Sequence, residues 1–278
     1  HAVTSGGLAV SFGGTLIDVA LASVIGLLLG LLAQVAKRST DQARVFELVG
    51  SAIVSFVAVT MSSVVPTTPS LVTVAALIVL LPGMSLTVAM TELATRHLIA
   101  GTARLMSAVI VLLELVIGVA LGDRIARSLV EAQQATPVAL PEWAQWLALV
   151  ASSAGIAIVV QAQLRAFGWI LAACSVGYVG AAFGSQLDPQ MGVVVGAFAV
   201  GVLGNFFARL MERPAQVVQV PAMLLLVPGS MGFRGMASLL GHDTLSGVET
   251  VFAMFVVALA IVAGLLIANA VVSPKRSL

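Results

Sequence analysis

Apolar runs of about twenty residues, each long enough to cross a bilayer, recur from one end of this chain to the other. Inside lipid every backbone N–H and C=O must find its partner within the protein, so only helices and closed barrels can span it. A barrel would need segments of about ten residues with alternating polarity, and the sequence has none. The fold class that remains is all-α, a polytopic helical membrane protein. Composition agrees: 60% of residues are hydrophobic, 9% are charged, and mean hydropathy is +1.12. Thirteen Lys and Arg against twelve Asp and Glu leave a net charge of +1, which gives no basic surface for nucleic acid. The single cysteine, Cys174, excludes an internal disulfide.

Hydropathy predicts spans over residues 16–36, 45–64, 70–96, 102–121, 143–162, 166–184, 190–208, 218–240 and 248–272. The connections are Lys37–Arg44, Pro66–Pro69, the polar stretch 122–142, Gln186–Gln190 and Arg209–Gln216, and residues 122–142 have room for a short surface helix. The chain opens on His1 with no basic stretch before its first apolar residues, so no signal peptide is read there. Residues 1–14 read instead as the tail of a span that starts upstream in a longer parent of ten spans. Trp143, Trp146 and Trp169 stand near span starts, where interfacial anchors belong. Threading the spans puts ten Lys and Arg residues on one side and only Arg124, Arg127 and Arg234 on the other. The basic side is then the cytoplasmic one, which places the C-terminus in the cytoplasm and the chain in a plasma or inner membrane.

Two of the spans carry a Pro-Gly pair in their middle, at Pro82–Gly83 and Pro228–Gly229. Proline removes a backbone donor and glycine loosens the helix, so each pair should interrupt its span. The two prolines are 146 residues apart, and the same offset pairs Leu80 with Leu226, Met90 with Met236, Leu93 with Leu239, Gly101 with Gly247 and Gly118 with Gly264. Carried upstream, it maps span 143–162 onto residues that begin before His1. This divides the chain into a first transmembrane repeat, 1–130, and a second, 131–278. About five spans per repeat is an odd number, so the halves should lie in opposite senses in the membrane, the plan of secondary transporters with substrate at discontinuous helices. The alternative is plain duplication, with kinks that serve packing.

The helix that starts after each break presents free N–H groups and the positive end of its dipole, which suit a carboxylate. Pro82, Gly83, Met84, Ser85 and Thr87, with Pro228, Gly229 and Ser230, are therefore the candidate substrate-binding residues. Their hydroxyls also have a purely local option, back-bonding to the preceding turn. Glu114 is the principal candidate for proton coupling: it lies ten residues beyond Arg104, about 15 Å deeper, where an acid is costly unless it is neutral or functional. Glu92 and Asp18 are further candidates, Asp18 also reading as a solvated or capping residue. Glu92 and Arg234 are placed to balance one another or the charges of a zwitterion. Asn205 should bond between helices, and Gly26, Gly30, Gly192 and Gly196 form small-residue packing faces. No His or Cys spacing suits a metal, no Walker loop or nucleophile elbow occurs, and neither a cofactor nor an enzyme activity is implied.

Three stretches, SFGGTLIDVALA at 11–22, LLPGMSLTVAMTELATRHLIAGTARLMSA at 80–108 and VPGSMGFRGMASLL at 227–240, resemble the threonine/serine exporters and their two-subunit relatives. The likeness runs through both halves of the chain, without the cytosolic domain that usually precedes the first span in that family. It implies export of threonine and serine driven by the proton motive force, with these amino acids, protons and the lipid bilayer as partners and a homo-oligomer compatible with it. The residues alone leave open a small dicarboxylate such as succinate as cargo, or a passive channel.

Overall fold

The computed structural model describes residues 1–131, 140–226, 229–240 and 244–273. All their regular structure is helical: α1 (Ala2–Ser11), α2 (Leu16–Ala36), α3 (Thr40–Arg44), α4 (Phe46–Ser62), α5 (Pro69–Leu77), α6 (Gly83–Ala94), α7 (Leu98–Leu129), α8 (Glu142–Val159), α9 (Phe167–Gly184), α10 (Pro189–Met211), α11 (Gln216–Leu226), α12 (Gly229–Leu240) and α13 (Thr244–Val271). The chain is an all-α polytopic membrane protein. Among the described residues six segments are long and apolar enough to cross a bilayer: Leu16–Ala36, Leu98–Leu129, Leu164–Gly184, Gln190–Met211, Gln216–Ser238 and Leu245–Val271.

The first interrupted span parts as its sequence predicts, into α5 and α6, with Pro82 capping α6. The second is described up to Leu226 in α11 and from Gly229 in α12; its expected break at Pro228 lies outside the described residues. Helices α6 and α12 are offset by 146 residues at both ends, and α7 and α13 begin at the same offset. One expectation fails. The span expected at 102–121 runs on to Leu129, into what reads as a polar connection. An i,i+4 ion pair from Arg127 Nε to Asp123 at 2.8 Å carries the extra turns, and pairs of this spacing support a helix in water.

The described residues form two compact units, His1–Leu81 with Ile110–Gly155, and Pro82–Val109 with Ile156–Leu278. In the first, α1 packs on α2 and α5, and α4 packs on α5. Hydroxyls seat against glycines here: Ser5 faces Gly26 while Ser23 faces Gly6, and Thr4 faces Gly155 while Ser152 faces Gly7. The start of α2 is fixed by a capping box. Asp18 accepts hydrogen bonds from Thr15 N and Thr15 Oγ1, both 2.9 Å, and Thr15 Oγ1 accepts from Asp18 N at 3.2 Å. The other Asp18 oxygen accepts from Thr68 N at 2.8 Å, which ties the α4–α5 connection to α2. Asp18 is thus a capping residue, but it is completely buried rather than solvated.

In the second unit α10 packs between α9 and α13, and α6 packs on α13 through Met90, Ala258 and Val262, with Leu93 and Phe255 at the edge. Trp169 is not simply an interfacial anchor, because its ring meets Phe207 edge to face at 5.6 Å. The expected small-residue face on α10 is present. A Cβ added to Gly196 would stand 2.8 Å from the Gly177 carbonyl oxygen, and one on Gly192 would stand 2.6 Å from that of Ala181. Gly196→Val must push α9 and α10 apart, at a cost of about 1–3 kcal/mol. Thermal unfolding in detergent should show a lowered midpoint for Gly196→Val and an unchanged one for Gly168→Val, whose Cβ would meet nothing within 4 Å.

Candidate functional site

Within the second unit, a cavity of about 560 Å³ opens between α6 and α11. One wall is a single face of α6, Met84, Thr87, Val88, Thr91, Glu92 and Thr95, at spacings of three and four that stack side chains along one side of a helix. The opposite wall is Gln216, Gln219, Val220 and Met223 of α11; Leu265 of α13, His97 and Ala100 complete it. The second half of the first interrupted span therefore faces the first half of the other.

The turn that ends α6 builds the charged end of this cavity. Arg96 adopts a left-handed conformation, φ 65°, and His97 N donates to the Glu92 carbonyl at 2.8 Å while Arg96 N donates to that of Leu93 at 3.1 Å. This is the pairing of a Schellman cap, with arginine where glycine is usual. The chain reverses, and α7 returns along α6 so closely that a Cβ on Gly101 would stand 2.8 Å from Leu93 Cγ. Leu93 and Gly101 are also matched by the 146-residue offset, so those sequence matches mark a physical contact. The reversal carries Arg104 back to Glu92. Arg104 Nε lies 3.1 and 3.3 Å from the two carboxylate oxygens and Nη2 lies 3.0 Å from Oε1, a two-point pairing that holds both groups in orientation. Their side chains are 46% and 22% exposed.

Most hydroxyl protons along the cavity wall point away from it. Thr87 Oγ1 donates to the Gly83 carbonyl at 3.1 Å, Thr91 Oγ1 to that of Thr87 at 2.9 Å, and Thr95 Oγ1 to that of Thr91 at 2.9 Å. Thr95 Oγ1 also pairs with His97 Nδ1 at 3.0 Å, and the oxygens of Thr87 and Thr91 remain as acceptors. Across the cavity Gln219 Nε2 donates to the Gly201 carbonyl at 3.3 Å and to Asn205 Oδ1 at 3.4 Å. Asn205, almost fully buried, donates in turn to Asn269 Oδ1 at 2.8 Å and to the Val272 carbonyl at 2.7 Å. The expected role of Asn205 as a bond between helices is what these contacts are.

Of the residues expected to bind or couple, Met84, Thr87 and Glu92 line this cavity, whereas Pro82, Gly83, Ser85, Gly229 and Ser230 do not. The cavity follows the side of α6 rather than its N-terminus. Glu92 takes Arg104 as its partner, not Arg234, because the turn at Arg96 returns α7 beside it; Arg234 is exposed on α12. Glu114 belongs to the first unit, half-buried at the middle of α7. Asp18 is in the first unit as well, within its capping box. Thr91, Thr95, His97, Gln216 and Gln219 are lining residues that sequence reasoning did not single out. The i, i+4, i+8 spacing of Thr87, Thr91 and Thr95 was the available signal. No group of three or more His, Cys, Asp or Glu able to hold a metal occurs among the described residues.

Comparison with known proteins follows the same lines. Residues 1–126 match a threonine/serine exporter family, and residues 145–271 match a second family described as "Threonine/Serine exporter, ThrE". Among curated relatives, protein C7D4.12c of Schizosaccharomyces pombe is 28% identical over 245 residues, 82% of this chain and 32% of its own length. Pheromone-regulated membrane protein 10 of Zygosaccharomyces rouxii is 28% identical over 239 residues, 83% of this chain and 24% of the relative. Its namesake in Saccharomyces cerevisiae is 27% identical over 252 residues, 86% and 63% of the two chains. The chain thus spans only about a quarter to a third of the first two relatives. No solved structure matches it. Matched in both of its halves to exporters of one kind, the chain belongs to the threonine/serine exporter family.

Proposed function

We propose that the protein exports threonine and serine across a plasma or inner membrane, driven by the proton motive force, and that the cavity between α6 and α11 receives the amino acid. The observation that carries this reading is the chemistry of the cavity wall. The oxygens of Thr87 and Thr91, with their protons turned to the backbone, and the Glu92 carboxylate make a surface rich in acceptors. Such a surface suits a ligand that brings donors, an ammonium and a hydroxyl. A dicarboxylate brings only acceptors at neutral pH, and it would meet oxygens along most of α6. The Glu92–Arg104 pair adds complementary charges that satisfy one another when the cavity is empty. A zwitterion offers each of them a replacement partner, its ammonium to Glu92 and its carboxylate to Arg104.

Glu114 is the proposed coupling carboxyl. It stands at the middle of a helix of 32 residues, about 48 Å long at ~1.5 Å per residue, which supports a position near mid-bilayer, where ionisable groups belong to ion and proton pathways. The shared 146-residue offset of α6 and α12 supports the division into repeats 1–130 and 131–278. With five spans each, the repeats take opposite senses, and one bundle would rock against the other about the interrupted helices. The excess of basic residues on one side supports a cytoplasmic C-terminus.

Purified protein in proteoliposomes should take up labelled serine and threonine faster under an imposed pH gradient, and it should discriminate against succinate. Equal rates with and without the gradient would remove the coupling, and preferred uptake of succinate would remove the substrate. Glu114→Gln should keep downhill serine movement and lose its acceleration by the gradient. Glu92→Gln gives up a charge-assisted hydrogen bond of about 1.5–3 kcal/mol. It should raise the serine KM roughly ten- to a hundredfold, read from concentration dependence of uptake.

A further inference from the structure

The cavity's second wall holds a device that the threonine stripe and the ion pair do not explain. Side-chain amides can be placed either way round, but here backbone carbonyls, which only accept, fix both orientations. Asn205 Nδ2 faces the Val272 carbonyl at 2.7 Å, so the nitrogen is on that side and Asn205 Oδ1 must face Gln219. Gln219 in turn meets two acceptors, Asn205 Oδ1 and the Gly201 carbonyl, so its nitrogen turns toward them. What Gln219 has left for the cavity is Oε1, a neutral acceptor. All of these residues, on α10, α11 and α13, belong to the second compact unit. Asn205 is buried, Gln219 is half-buried and Asn269 is exposed. Turning the Asn205 amide would leave a buried donor or acceptor unpaired at about 1–3 kcal/mol, and this fixes the oxygen that Gln219 meets.

We propose that Gln219 determines specificity by accepting a hydrogen bond from the side-chain hydroxyl of the substrate, and that Asn205 is the positioning residue that holds Gln219 Oε1 toward it. This inference rests on the cavity being the amino-acid site and deepens that reading. The match is one of charge: a neutral amide oxygen suits a neutral hydroxyl, while the ammonium has the Glu92 carboxylate. A substrate without the hydroxyl leaves Gln219 Oε1 facing the cavity without a partner, which is how a polar site rejects an apolar analogue.

The test is competition between serine and alanine for uptake into proteoliposomes, expressed as the ratio of their kcat/KM values. Unaltered protein should prefer serine. Gln219→Met, close in size and without an acceptor, should lower that preference about tenfold, the scale of one neutral hydrogen bond, mainly through the KM for serine. Asn205→Leu, which frees Gln219 to rotate, should lower the preference without touching the cavity. A structural role alone would reduce both substrates equally and leave the ratio unmoved. An unmoved ratio in Gln219→Met, with serine uptake intact in the unaltered protein, overturns this inference alone. Absence of serine uptake by the unaltered protein overturns the functional reading and this inference with it. Should Gln219→Met unfold, shown by a collapsed thermal midpoint, Gln219→Ser decides in the same assay: its short hydroxyl cannot reach where Oε1 stood, so it too must lose the preference, and an undiminished ratio counts against the proposal.

Discussion

An unpaired peptide group inside a bilayer costs several kcal/mol, and this sequence breaks its helices there. At the first break Leu80 N and Leu81 N both turn to the Leu77 carbonyl, at 2.8 and 3.2 Å, and Leu86 N reaches the Pro82 carbonyl at 3.0 Å. The chain closes its hydrogen bonds locally across the corner, Pro82 has no N–H to place, and Leu81 and Gly83 are buried. A short helix released in this way is free to take a direction of its own. Helix α6 lies against α13 through Met90 and turns its other face, the threonine face, to α11.

What could be read from the sequence was whatever depends on one helix or on spacing along the chain. The helical spans, the interruption at Pro82–Gly83 and the offset of 146 all belong here. The Glu92–Arg104 pair was less legible. Twelve residues and a reversal separate its members, and the reversal uses Arg96 in a conformation for which glycine is the usual signal. The length of α7 was hidden because Asp123 and Arg127 read as a polar connection, although their i,i+4 spacing also extends a helix. Gln219 could not be found at all from local pattern. It looks like a polar residue near the start of a span, and only the tertiary contacts to Gly201 and Asn205 give its amide a direction.

The two acids on α6 and α7 differ in what each is able to do. Glu92 is held by three contacts to one guanidinium, so a change in its charge must first break a two-point ion pair. In the proposed reading it is the group that would answer to a ligand carrying its own charges. Glu114 has a different setting. Helix α7 is unbroken, yet residues up to Val109 belong to one compact unit and residues from Ile110 to the other, and Glu114 lies four residues past that change. Helices α7 and α8 each run from one unit into the other, and α7 is the one that carries Glu114. Substrate recognition in one unit and proton binding in the other would then meet through a continuous backbone, in which every turn is hydrogen-bonded to the next.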